Sequence, residues 1–288
     1  MPSDRSRSTK RSRANIGTSS RKRQSDKPKP LPLVERTNAL SLEEFASSYI
    51  PSLELRFQKS ARKKQVSSST SSSPQNGESE DAPTEAENLP ASKKEPDAVE
   101  KSDISTTTST YEYTIDNYTA ATIPAADLDT CFNLIELTSS AAYKSSSAGW
   151  SPKEKREEMK LPDMKYMILR RAVSDGGESE GPEDFAGFLE YMVTYEDGYE
   201  VLYCYEIHLT PESQGQGLGE ELMARFERVG ARIGLEKAML TVFKSNRRAM
   251  TFYQRVGYTE DESSPRPRKL RNGTVKEADY MIMSKSLR

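Results

Sequence analysis

Residues 200–234 read EVLYCYEIHL, then TPESQGQGLG, then EELMARFERVGARIG. The first block reads as a strand. The third repeats Leu222, Phe226, Val229 and Ile233 at steps of four, three and four, which predicts one buried helical face ended by Gly234. Between them stand Gln214, Gly215, Gln216, Gly217, Leu218 and Gly219. Closely spaced glycines between a strand and a helix let backbone N–H groups turn toward an anion, and the helix start adds its partial positive charge. The loop therefore suits a phosphate-bearing ligand, with an unliganded flexible turn as the alternative. Two nucleotide fingerprints fail on spacing. Gly219 is followed by Glu220 rather than Lys and Ser or Thr, and it lies two places beyond Gly217 where a dinucleotide loop needs three.

Upstream, 164–173 (MKYMILRRAV) and 185–196 (FAGFLEYMVTYE) read as strands around a turn-rich excursion at 174–184. Asp197-Gly198 is a hairpin turn, so 200–209 should return antiparallel and make three adjacent antiparallel strands. Residues 111–115 (YEYTI) alternate like a strand, and 127–143 place Leu128, Phe132, Leu134 and Leu137 on a helical stripe. Downstream come a strand at 237–243, a helix at 246–257 closed by Gly257, and a last strand at 280–287. Helices interleaved with strands over 111–288 predict one α/β or α+β domain with a mixed sheet.

The leader, 1–40, is basic: residues 1–30 hold ten Lys or Arg against Asp4 and Asp26, a local +8 in a chain of net charge −2. A basic arm attracts nucleic acid, a ribosome or an import receptor, whereas the acidic remainder attracts basic peptides. Residues 41–64 place Leu42, Phe45, Tyr49 and Ile50 on a short amphipathic helix opened by Ser41, either a strap docked on the domain or a solvated arm. Residues 65–110, dominated by Ser, Thr, Pro, Glu and Lys, read as a disordered insert, so the domain follows a long disordered N-terminal region. No apolar run reaches the roughly 18 residues of a membrane span, and the N-terminal residues lack the apolar stretch of a secretory signal; a soluble protein of nucleus and cytoplasm is expected. Cys131 and Cys204 read as buried thiols rather than metal ligands. His208 is the only histidine, which excludes multi-histidine metal sites and argues against Ser-His-Asp hydrolysis.

Gln214 to Gly219 resembles the Gln/Arg-x-x-Gly-x-Gly/Ala pyrophosphate loop of the GNAT N-acetyltransferase superfamily, and LTVFKSNRRAMTFYQRVGY (240–258) resembles its strand, Asn-bearing turn and helix. More narrowly, EVLYCYEIHL, GWSPKEKREEM (149–159) and LTVFKSN with Ser263-Ser264-Pro265 resemble the NatD family of histone-specific N-terminal acetyltransferases, over roughly 111–288. The resemblance implies a GNAT fold, a mixed and mostly antiparallel sheet flanked by helices, with acetyl-CoA as cofactor. It implies direct transfer, in a ternary complex, to the free amine of histone 4 and histone 2A tails beginning Ser-Gly-Arg-Gly. An α-amine has a pKa of about 7.7–8, so a modest base suffices.

Glu206 is then the base, directly or through water, or an anion that binds the peptide; Tyr205 stands beside it, and Tyr253 faces the leaving sulfur. Backbone groups of Ile207, His208 and Leu209 hold the pantetheine arm, and Asn246 and Tyr253 face the cofactor, with the His208 side chain a bystander. Tyr143, Trp150, Tyr203, Tyr205 and Tyr280 wall the substrate tunnel, and Glu196 and Glu206 meet the arginine. Two departures from the pattern are Ala148, where NatD carries a second tryptophan, and Thr194, where it carries an acid. A monomer without metal is expected. A GNAT acting on lysine side chains or small amines, and a non-enzymatic chromatin or ribosome adaptor, remain the rival readings.

Overall fold

The computed structural model describes residues 31–62, 108–172 and 184–288. Residues 1–30 of the leader, 63–107 with most of the insert read at 65–110, and 173–183 with most of the excursion read at 174–184 lie outside the described residues, whereas 108–110, read as the end of the insert, begin a strand.

Eight strands form one sheet in the order β1-β2-β3-β4-β5-β6-β10-β7, with β7 at Thr259–Glu260, and β8 (Arg268–Lys269) and β9 (Val275–Lys276) form a separate two-stranded ribbon. The central strands are β3 (Lys165–Arg171), β4 (Phe185–Glu196) and β5 (Tyr199–Leu209), antiparallel as expected and joined at the last step by the Asp197-Gly198 turn. Both turn residues have positive φ, the requirement of a tight hairpin whose twist matches its strands. β5 pairs with β6 (Lys237–Phe243) in parallel, the only parallel pairing among the described strands, and β10 (Tyr280–Ser286) closes on the far side of β6. This is the mixed, mostly antiparallel sheet flanked by helices that the resemblance implies.

β4 is buried on both faces because helices cover both. On one face α5 (Leu218–Ile233) presents Leu222, Phe226, Val229 and Ile233 to Leu189, Tyr191 and Val193 of β4, and stops at Gly234, whose φ of 93° is left-handed. On the other, α3 (Ala125–Lys144) packs Cys131, Phe132 and Ile135 over Tyr166, Ile168 and Phe188, and α4 (Pro152–Glu158) lies beside it with Lys155 buried. Leu137 corrects the expected stripe of α3: it is 70% exposed, and Cys131 and Ile135 take its place in the core.

Two α-helices, a 3-10 turn (Ser52–Glu54) and a strand precede the segment read as the domain. Helix α1 (Leu33–Asn38) lies in the range assigned to the leader, and Thr37 is fully buried beneath it. Helix α2 (Leu42–Tyr49) starts with a capping box, Ser41 and Glu44 each bonding the other's backbone N–H, and sets Phe45 in the core. Strand β1 (Arg56–Arg62) pairs along its length with β2 (Thr108–Thr119). Residues 41–62 are thus docked on the domain rather than a solvated arm, continuing the sheet by one strand, while 63 and 64 of the range read as a strap lie outside the described residues.

Candidate active site

Two irregularities in β5 build the site. The first is its parting from β6: parallel pairing runs from Val201 to Cys204 and stops. From Tyr205 to Leu209 the strand holds β4 alone. Thr210 N–H bonds back to Ala186 O at 3.0 Å, so strand alternation turns the N–H groups of Glu206 and His208 to β4 and those of Ile207 and Leu209 into the opening. β4 hugs β5 here through Gly187, where a Cβ would sit 2.4 Å from His208 O.

The second is a bulge: Glu190 pairs with Glu206 and Tyr191 with Cys204, leaving Tyr205 as the extra residue. The bulge brings neighbours Tyr205 and Glu206 onto the same face, toward α3 and α4, where regular alternation would separate them. Tyr205 packs against that core, and Glu206 meets Tyr143, Lys155 and His208.

The cleft left by the parting is a cavity of 890 Å³, lined by Ile207, His208, Leu209, Gln214, Gly215, Gly217, Leu218, Gly219, Asn246 and Tyr253, ten residues expected at the cofactor. Gly215 and Gly217 have φ of 75° and 77°, and no side chain caps α5, so its first-turn N–H groups are open to an anion. Gln214 Nε2 steadies the loop on Leu209 O (3.1 Å), and Asn246 Oδ1 caps α6 (Arg247–Arg255) by accepting from Ala249 N–H (3.1 Å). Gln216 turns away from the cavity: its amide nitrogen donates to Glu212 O and its oxygen accepts from Tyr113 OH (3.1 Å). Three residues that the sequence reading passed over, Arg247, Arg248 and Arg255, line the same cavity. The signal was present, since adjacent arginines opening a helix oppose its dipole and gain a counter-charge from a bound anion.

Behind the cavity lies a buried charge cluster. Glu206 Oε1 accepts from Lys155 Nζ (2.9 Å) and Tyr143 OH (3.1 Å), and Oε2 lies 2.7 Å from His208 Nε2. Burial favours protonation of Glu206, but His208 and Lys155 outweigh it and hold the carboxyl at about 2. Burial likewise opposes charge on Lys155, yet Glu206, Tyr143 and Glu158 keep its ammonium well above the usual lysine range. Because Glu206 stays ionised, His208 Nε2 carries a proton, and Nδ1 meets Thr138 Oγ1 at 2.7 Å. The His208 ring is therefore a member of the cluster, stacked on Phe188, rather than a bystander.

Glu190, opposite Glu206, has no exposure at all; Oε1 accepts from Tyr166 OH (3.2 Å) and Oε2 has no partner. Burial first, then the charge of Glu206, pushes its carboxyl up to about 8. Neither Lys155 nor Glu190 could be singled out in sequence, since only the fold brings them to Glu206.

Aromatic side chains continue from this cluster. Tyr143 lies between Trp150 (5.4 Å) and Phe243 (5.0 Å), Tyr203 packs on Tyr205 (5.5 Å), and Tyr280 stands opposite Phe243 across β6 and β10. Glu196 ends β4 and, among the described residues, forms no ion pair, whereas both oxygens of Glu206 are engaged; burial, then Asp197, raises the Glu196 carboxyl.

Residues 133–258 match the acetyltransferase (GNAT) family. That stretch has the mixed, mostly antiparallel α/β fold of GNAT acetyltransferases. Acetyl-CoA is the cofactor of such domains, and this one fits it: glycines at positive φ, an uncapped helix start and three arginines share one cavity. Over 93 residues, 32% of its length, the chain is 28% identical to thialysine N-epsilon-acetyltransferase of Bos taurus, a match spanning 54% of that protein's own length. Among solved structures it is similar to the ribosomal-protein-S18-alanine N-acetyltransferase of Escherichia coli, with 18% identity over 60% of this chain and 94% of that one and a TM-score of 0.37. It is also similar to spermidine N-acetyltransferase from Vibrio cholerae in complex with CoA and spermine, with 17% identity over 60% and 95% and a TM-score of 0.41.

Proposed function

We propose that this domain transfers acetyl from acetyl-CoA to the free N-terminal amine of a basic peptide, the Ser-Gly-Arg-Gly start of histone 4 and histone 2A tails. The observation that carries the reading is the bulge at Tyr205, which sets an ionised Glu206 on the aromatic side of the sheet while Ile207 and Leu209 open their N–H groups to the cofactor cavity. A thioester held in the cavity and an amine held among Tyr143, Trp150 and Tyr205 would meet across this strand. Acetyl-CoA supplies the acetyl thioester when bound.

The chain's own residues do the rest. The N–H groups of Ile207 and Leu209, open to the cavity, would stabilise negative charge developing on an acetyl oxygen held there, since a dipole fixed in a buried site needs no reorganisation. Glu206 attracts the ammonium and orients the water that takes its proton; a carboxyl held at about 2 passes the proton onward to solvent rather than keeping it. Burial keeps the Tyr253 hydroxyl protonated at the cavity wall, where it would be a proton donor to a thiolate leaving from the bound cofactor. Glu196, which has no ion pair among the described residues, receives the guanidinium in the peptide's third position with two parallel hydrogen bonds.

The test is acetyl transfer to a free-amine Ser-Gly-Arg-Gly peptide, its N-blocked twin and a sequence-mismatched control. The reading expects turnover on the first alone; equal turnover on the blocked twin would overturn it. A side-chain amine is the second reading, favoured by the similarity to thialysine N-epsilon-acetyltransferase. Such an amine, with a pKa of about 10.4, needs a stronger proton acceptor than a carboxylate at about 2.

A further inference from the structure

Lys59 lies on β1, outside the residues that match the GNAT family, yet its side chain reaches the glycine loop. A Cβ built on Gly217 would meet Lys59 Cε at 3.0 Å and Nζ at 3.3 Å. Gly217 is the residue from which α5 starts, and it lines the cofactor cavity. A cation there faces the positive end of the helix dipole and first-turn N–H groups that no side chain caps, an unfavourable placement unless an anion comes between.

The local carboxylates do not balance it. Lys59 Nζ bonds Glu221 Oε1 at 2.9 Å, but Glu221 also takes Arg225 at 2.6 Å, and the other first-turn acid, Glu220, is drawn to Arg255 at 2.7 Å. Two cations thus share one carboxylate beside the dipole's positive end. Lys59 is held in place by its strand: Phe57 stacks on Tyr113 (5.4 Å), whose hydroxyl bonds Gln216, and the Arg225 guanidinium lies 4.3 Å over Phe57 while donating to Glu54 O.

We infer that Lys59 binds the pyrophosphate of the cofactor held on the Gly215–Gly219 loop, so that the N-terminal strap contributes a cofactor-binding residue to the domain. This rests on the acetyl-CoA reading of the cavity. An arriving pyrophosphate gives the loop, the helix start and Lys59 a common counter-charge, and Glu221 is left to Arg225.

The experiment is calorimetric binding of coenzyme A and of 3′-dephospho-coenzyme A to the full chain, its Lys59→Met, Lys59→Arg and Glu221→Gln variants. Both ligands carry the pyrophosphate. Loss of one charge-assisted hydrogen bond predicts that Lys59→Met weakens both by about tenfold, with Lys59→Arg close to wild type. Glu221→Gln separates direct contact from propping: a Lys59 that contacts phosphate leaves Glu221→Gln binding as wild type or more tightly. Equal weakening in Glu221→Gln, or wild-type affinity in Lys59→Met, would overturn the inference. A wild-type chain that binds neither ligand would instead overturn the cofactor reading beneath it.

Discussion

Lys155 Nζ lies 2.9 Å from Glu206 Oε1, with 7% and 9% of the two side chains exposed, and so ties α4 to the bulged strand through a buried ion pair. Removing one partner of such a pair leaves the other charged and desolvated, which costs about 3–5 kcal/mol. Lys155→Met should therefore lose about that much in denaturant unfolding. The double variant with Glu206→Gln should recover part of it; a double variant as unstable as the single one would show that the charge on Glu206 is not what Lys155 compensates.

Glu190 and Glu206 titrate in opposite directions. Glu190 has a folded value of about 8 against an ordinary 4.5, so its charged form is penalised: the penalty is absent below 4.5, grows as pH rises toward 8, and is full above it. Glu206 is depressed to about 2, so its contribution is full above 4.5 and is lost as pH falls through 2. Melting temperatures of Glu190→Gln should match wild type near pH 4.5 and exceed it increasingly up to pH 8. A constant difference across that range would exclude titration of Glu190 as the cause.

Gly187 sets the distance between β4 and β5 at the cleft. A methyl group placed 2.4 Å from His208 O must push the strands apart, which costs about 1–3 kcal/mol. Gly187→Ala should lower the melting temperature and raise KM for acetyl-CoA, because Leu209 moves with the displaced strand. An unchanged KM would detach the Leu209 N–H from the cofactor.

Much of this was legible in the chain itself. The positive-φ glycines at 198, 234 and 257, the stripe of α5 and the loop at 214–219 all announce their structure, since each is a local solution to a local constraint. The bulge at Tyr205 is not local: one extra residue in a strand leaves the hydrophobic pattern almost intact and becomes visible only against β4. Lys155 reads as one charge among many in KEKREE, and only the packing of α4 buries it. Strand β1 was hidden because RFQKSAR alternates weakly and finds its partner beyond residues 63–107. Leu137 looked like core because hydrophobicity marks candidates for burial, and α3 had more candidates than its contact face could take.

Glu196 should govern the affinity of an arginine-bearing substrate rather than the chemical step. Glu196→Gln should raise KM for Ser-Gly-Arg-Gly about tenfold with little change in kcat, the worth of one charge-assisted contact. With alanine in the peptide's third position, wild type and variant should converge. A variant that loses kcat on both peptides would place Glu196 elsewhere in the reaction.

The most direct measurement is the position of the acetyl group on a peptide that offers both amines, Ser-Gly-Arg-Gly-Lys-Gly, read by fragmentation mass spectrometry after a single acetylation. The account predicts acetyl on the terminal serine nitrogen and an unmodified lysine. Acetyl on the lysine side chain, with the terminal amine left free, would contradict it.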